Sequence, residues 1–197
     1  MIENVVLDMG NVLLDYNPDV ALDLFFQTEE DKELIRQELF EGEEWFQADM
    51  GEITDEEMFT SISRRIPQRL QEGLKLCIDS WHVCMKPLPG AAAFCDYIRD
   101  KGYGIYVLSN ASTSFYQYFP EFRPLEYFDG YLVSSDVHMV KPDAGIYQCF
   151  LNKYQLEAKS CLFIDDRADN VKGAENAGMY AERFTGSYDA IAAKYHL

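Results

Sequence analysis

The chain has 197 residues, room for one core domain and a modest insertion, and at 48% hydrophobic it can bury a real core rather than stay disordered. Asp and Glu number 34 against 17 Lys and Arg, giving a formal charge of -17. Such a field argues against nucleic acid and anionic membranes as partners, and any phosphate site must carry local cations to offset it.

The N-terminus reads without a signal peptide, since Glu3 stands where basic residues would be and an apolar run begins at once. Val5-Val6-Leu7-Asp8 reads as a buried strand ending on a carboxylate. From there to about residue 84 the pattern is helical with no convincing strand: Val20 to Phe26, Lys32 to Phe40, and a helix opening at Thr54, where Thr54 and Glu57 form a capping box. Lys86-Pro87-Leu88-Pro89-Gly90 reads as the hinge on the return.

A helix over Ala91 to Lys101, closed by Gly102, leads to the strand Tyr103 to Leu108, which ends on Ser109. Gly130 to Val133 is a third strand, ending on Ser134-Ser135. A helix over Ala144 to Tyr154 precedes the fourth strand, Cys161 to Ile164, which ends on Asp165-Asp166, and Val171 to Ala177 closes on Gly178. This alternation predicts an α/β fold with a parallel sheet, whose ligands bind beyond the carboxyl ends of the strands. The expected division is a Rossmann-like core over 1–16 and 85–197, and a helical insertion over 17–84. The five cysteines form no CxxC pair and lie among apolar neighbours, as free buried thiols of a reducing compartment would; no apolar stretch is long enough to span a bilayer, so a cytoplasmic location is expected.

Asp8, Ser109-Asn110, Lys141 and Asp165-Asp166 carry the chemistry. Phosphoryl transfer needs a nucleophile, a divalent cation and donors to the phosphate oxygens. Asp8 can attack phosphorus, Asp8 and Asp166 can offer hard oxygen ligands to Mg²⁺, Ser109 and Asn110 offer donors, and Lys141 brings the missing positive charge. Each residue alone has a plainer reading, as a strand-ending turn, a helix cap or a surface loop. In this order, at strand ends, the accidents do not combine.

The segments Val6-Leu7-Asp8-Met9-Gly10-Asn11-Val12-Leu13, Val107-Leu108-Ser109-Asn110, Val140-Lys141-Pro142 and Phe163-Ile164-Asp165-Asp166 resemble the four ordered motifs of the haloacid dehalogenase-like superfamily. The insertion sits where that family places a small helical cap. More narrowly, Leu7 to Val12 and Asp165-Asp166-Arg167-Ala168-Asp169-Asn170 are similar to bacterial α-D-glucose-1-phosphate phosphatases and, further off, to the phosphatase domain of soluble epoxide hydrolases. The resemblance implies Asp8 as nucleophile and metal ligand, the carbonyl of Gly10 and the carboxylate of Asp166 as further Mg²⁺ ligands, Asp165 orienting a water, and Asn170 assisting behind it. It implies a small phosphorylated metabolite as substrate.

One departure stands out. The usual motif is Asp-x-Asp, whose second Asp protonates the leaving group, and here that position is Gly10. General acid catalysis is worth roughly 10²–10⁴ in rate, so the sequence leaves three outcomes: another acid, substrates with good leaving groups such as hexose 1-phosphates, or weak activity. Two rivals follow. A metal-free 2-haloacid dehalogenase is disfavoured by the retained Asp165-Asp166, and a degenerate binding protein of the same fold is the other.

Elsewhere packing is the expectation. His82, His138 and His196 lack metal-ligand spacing, Trp45, Phe46, Met58 and Phe59 read as core of the insertion, and Trp81, Met85 and Tyr147 as packing. Glu41 to Glu44 reads as a solvated face, and Asp169 as a candidate helix cap.

Overall fold

The computed structural model describes residues 1–197. Its strands are β1 (Asn4–Leu7), β2 (Leu14–Tyr16), β3 (Met85–Pro87), β4 (Gly104–Ser109), β5 (Gly130–Val133), β6 (Cys161–Asp165) and β7 (Tyr180–Arg183). The helices are α1 (Pro18–Phe25), α2 (Glu29–Ile35), α3 (Glu43–Asp49), α4 (Asp55–Ser63), α5 (Gln71–Ser80), α6 (Ala91–Asp100), α7 (Phe115–Phe122), α8 (Ser134–Val137), α9 (Ala144–Tyr154), α10 (Ala168–Asn176) and α11 (Tyr188–Tyr195).

Five strands form one sheet in the order β5-β4-β1-β6-β7, and every pair in it is parallel. β1 lies at the centre, with Val5 opposite Ile105 on one side and Leu162 on the other. The near-continuous apolar runs follow from this position, because both faces are covered by helices. Alternation divides the strands between two cores. Val5, Leu7, Ile105, Val107, Leu162 and Ile164 join a large core that continues into the helical segment, while Val6, Leu108, Cys161 and Phe163 meet Ile146, Tyr147 and Phe150 of α9 on the other face. Each fully buried side chain of this kind contributes roughly 1.5–3 kcal/mol.

The helical segment α1–α5 leaves and re-enters through β2 and β3, which pair antiparallel with Leu14 opposite Pro87 and Tyr16 opposite Met85. The sequence pattern gave no strand here, since three residues are too few for alternation to show. The capping box at Thr54 is present: Thr54 Oγ1 accepts from the Glu57 amide at 3.2 Å and Glu57 Oε2 accepts from the Thr54 amide at 2.8 Å. β7, α7 and α11 also escaped the pattern. α7 contains Pro120 yet buries Phe115, Tyr118 and Phe119 on one face, so tertiary packing decides what local propensity obscures.

Some expectations change. Glu44 is buried rather than solvated, and its carboxylate accepts from Arg65 Nη1 at 2.6 Å and Ser61 Oγ at 2.5 Å. Asp169 lies inside the first turn of α10 and Arg167 occupies the cap position. All five cysteines are free, and burial raises the thiols of Cys77, Cys84 and Cys95 to about 12, 11 and 12, which keeps them protonated. No helix is long and apolar enough to cross a membrane.

Candidate active site

The sheet delivers Asp8, Ser109 and Asp165-Asp166 to the same edge because β1, β4 and β6 are adjacent and parallel. Asp8 continues the ladder, its amide donating to the Ile164 carbonyl at 2.9 Å. Lys141 reaches under this edge. Its ammonium donates to Asp8 Oδ1 at 2.7 Å, Asp165 Oδ2 at 2.7 Å and the Leu108 carbonyl at 2.9 Å, which uses all three of its donors. Asp165 is fully buried, and its carboxylate also accepts from Asn170 Nδ2 and, at 2.8 Å, from the Arg167 amide. Asp166 is only half-buried and lines the same cavity as Asp8. Carboxylate oxygens of Asp8, Asp165 and Asp166 lie within 4.8 Å of one another.

Two expected phosphate donors sit differently from the rest. Asn110 spends its carboxamide on Lys141, donating to its carbonyl at 3.0 Å and accepting from its amide at 2.8 Å. Both main-chain polar groups of Lys141 are thereby paired with one side chain, which ties its loop to the end of β4. Ser109 is 1% exposed and its hydroxyl lies 3.5 Å from the Asn110 carbonyl, away from the cavity. Asn170 is buried, and its side-chain oxygen has no hydrogen-bond partner.

Gly10 and Asn11 shape the turn after Asp8. Asn11 takes a φ of 54°, a conformation Asn tolerates better than most residues. Its side chain donates to Asp166 Oδ2 at 3.0 Å and accepts from the Tyr16 amide at 3.0 Å. The cavity that Asp8 lines is about 690 Å³, and its lining also includes Tyr16, Phe40, Trp45, Phe46, Trp81 and Tyr118. Phe46 is 53% exposed at its rim and so is not core. Trp45 and Trp81 meet edge to face with centroids 5.0 Å apart.

Asp49, the last residue of α3, also lines this cavity. Ser134 Oγ, at the start of α8, donates to the Asp49 carbonyl at 2.6 Å, and His138 Nδ1 meets the Met50 carbonyl at 2.8 Å. Gly51, at a φ of +69°, packs so closely on α8 that a Cβ there would come within 2.4 Å of the Ser135 carbonyl.

Residues 2–178 match the haloacid dehalogenase-like hydrolase family. The chain belongs to this family. It is therefore a hydrolase, and its sheet and flanking helices are the family's α/β fold. Among curated relatives, a sesquiterpene phosphatase, astK, of Aspergillus oryzae is 25% identical over 183 residues, covering 92% of this chain and 89% of that protein. The (S)-2-haloacid dehalogenase 4A of Burkholderia cepacia is 26% identical over 137 residues, 69% of this chain and 59% of that one. A family enzyme of Bacteroides thetaiotaomicron, BT-2542, crystallised with magnesium and inorganic phosphate, superposes with a TM-score of 0.77 at 20% identity, covering 97% of this chain and 99% of that one.

Electrostatically, the family's acidic edge is compensated from within. Burial raises the Asp8 carboxyl to about 7, while the Lys141 ammonium pulls it down and Asp165 pushes it up. Burial works against the charge of Lys141, but Asp165 and Asp8 together outweigh it and raise that group. Burial and then the charge of Asp8 raise Asp49 to about 7, opposed by the charge of Lys141. The phenol of Tyr118 is raised well above its ordinary value by burial and then by Asp49, and its hydroxyl has no partner.

Asn11, Asp49 and Tyr118 are the site residues that sequence reasoning passed over. Asn11 was readable, since Asn after Gly in a tight turn is a left-handed signal. Asp49 was not, because nothing local separates it from the other acids around α3.

Proposed function

We propose that the protein is a Mg²⁺-dependent phosphatase that hydrolyses a small phosphate monoester through an aspartyl phosphate on Asp8. The carrying observation is the grouping of Asp8, Asp165 and Asp166 carboxylate oxygens within 4.8 Å, beside a buried ammonium, at the mouth of a cavity. Residues 17–84 read as a cap over a core of 1–16 and 85–197.

The donor set fits a hard dication. Asp8, Asp166 and the Gly10 carbonyl supply oxygens, and the partnerless Oδ1 of Asn170 offers a further buried acceptor nearby. When bound, Mg²⁺ would neutralise phosphate charge. In the first half-reaction a carboxylate oxygen of Asp8 forms a bond to phosphorus while the ester P–O bond breaks. The alcohol leaves with the electron pair and takes up a proton. Water then attacks the aspartyl phosphate, freeing Asp8 and inorganic phosphate. Lys141 holds the charge and orientation of Asp8 through this cycle, and Asn110 holds Lys141.

Two readings of the alcohol differ. Gly10 and the subgroup resemblance favour a hexose 1-phosphate. The aromatic wall of Tyr16, Phe40, Trp45, Phe46, Trp81 and Tyr118 favours an apolar alcohol, and the relative named a sesquiterpene phosphatase supports that second reading.

The test is phosphate release from a panel of sugar, alkyl and prenyl phosphates, with Mg²⁺ and with chelator. Turnover should require Mg²⁺ and fall by roughly 10³ or more in Asp8→Asn, which keeps the shape but loses the nucleophile. Full activity of Asp8→Asn would remove the nucleophile assignment. Metal-free chloride release from 2-haloacids would instead favour the dehalogenase reading suggested by the Burkholderia relative.

A further inference from the structure

The glycine at position 10 leaves the phosphatase reading without a proton donor. The cavity holds five carboxylates: Asp8, Glu41, Asp49, Asp143 and Asp166. Asp8 and Asp166 are engaged in the reaction centre, and Glu41 and Asp143 are exposed at the rim. Asp49 is the one that remains: half-buried, lining the same cavity as Asp8, and carried by α3 of the helical segment.

Its position is fixed from the core side. The main chain of the α3 terminus is held by Ser134 Oγ on the Asp49 carbonyl at 2.6 Å and by His138 on the Met50 carbonyl at 2.8 Å. The absence of a Cβ at Gly51 allows that approach, since the Ser135 carbonyl fills the place a Cβ would take. Tyr118, 5% exposed with a partnerless hydroxyl, lines the same cavity among the aromatic residues. A carboxyl hung from a mobile surface helix would have none of these constraints.

We infer that Asp49 is the general acid that replaces the missing second carboxylate of the motif, acting from the helical segment rather than from the turn after β1. This rests on the phosphatase reading. As the ester P–O bond breaks, the Asp49 carboxyl gives its proton to the departing oxygen and becomes a carboxylate. It then takes a proton from the water that attacks the aspartyl phosphate, so the cycle ends as it began.

The experiment compares two leaving groups on wild type and Asp49→Asn with Mg²⁺ present: p-nitrophenyl phosphate, whose phenolate leaves unaided, and a primary alkyl phosphate, whose alkoxide does not. Asp49→Asn should cut kcat on the alkyl ester roughly 10²–10³-fold and on the aryl ester less than about tenfold. The retained aryl activity is also the check that the variant folds. Equal losses on both esters, or no loss on either, would overturn the assignment. An inert wild type would instead overturn the phosphatase reading itself, whereas an active wild type with a leaving-group-blind Asp49→Asn sinks only the acid.

Discussion

The Lys141 ammonium lies 2.7 Å from Asp8 Oδ1, and both side chains are nearly shut off from water. Lys141 is bonded equally closely to Asp165, so one cation sits between two buried carboxylates. Such a cluster gains little over apolar packing, but breaking it from one side strands charge in a low-dielectric setting. Lys141→Met should therefore destabilise the fold by about 3–5 kcal/mol in urea unfolding and abolish turnover. A Lys141→Met protein as stable as wild type would show that the two carboxylates do not depend on it.

Asp166 differs from its neighbour in being open to the cavity. Asp165 accepts from Lys141, Asn170 and the Arg167 amide, whereas the side chain of Asp166 takes one bond, from Asn11. Asp166 is thus the carboxylate free to change partners. Asp166→Ala should raise the Mg²⁺ concentration for half-maximal activity at least tenfold with little change in thermal midpoint. An unchanged Mg²⁺ titration would move the ligand role to Asp165.

Gly51 is the point where the helical segment touches α8. Gly51→Ala combines a left-handed φ of +69° with a Cβ only 2.4 Å from the Ser135 carbonyl, so the α3 terminus must lift and carry Asp49 with it. Gly186→Ala is the control, since its φ of +95° brings strain with nothing within 4 Å. Each should lose about 1–3 kcal/mol to backbone strain, but Gly51→Ala alone should lower kcat on alkyl phosphates. Equal kinetics in the two variants would separate that contact from catalysis.

Much of this was legible in the chain itself. The strand-end carboxylates are readable because a parallel sheet buries its strands on both faces, so Val5-Val6-Leu7-Asp8 and Cys161 to Asp165 stand out as apolar runs stopped by acids. What Lys141 touches is a different matter. Its three acceptors come from β1, β4 and β6, and only the strand order β4-β1-β6 brings them under one ammonium. Asn110 was expected to meet phosphate and meets the Lys141 main chain instead, because its partner lies 31 residues on, beyond any local pattern. Asp49 is hidden for the same reason: its bond to Ser134 spans 85 residues.

Gly10 provides the last test, because the turn has room for the acid it lacks. A Cβ there would find only Tyr16 Cβ, at an ordinary 3.8 Å, and the position carries no left-handed φ, so Gly10→Asp should fold. A hexose 1-phosphate and its 6-phosphate isomer make a matched pair, since the anomeric oxygen leaves more easily than the primary one. If the proton comes from Asp49, Asp49→Asn should widen the preference for the 1-phosphate. Adding Gly10→Asp to Asp49→Asn should then narrow it again, recovering at least about tenfold in kcat/KM on the 6-phosphate as a positioned acid can. In the wild-type background the same substitution should change the ratio little, because an acid is already in place. A Gly10→Asp protein that gains as much on the 6-phosphate with Asp49 present as without it would mean that the wild-type site has no general acid. Leaving-group acidity alone would then set its choice of substrate.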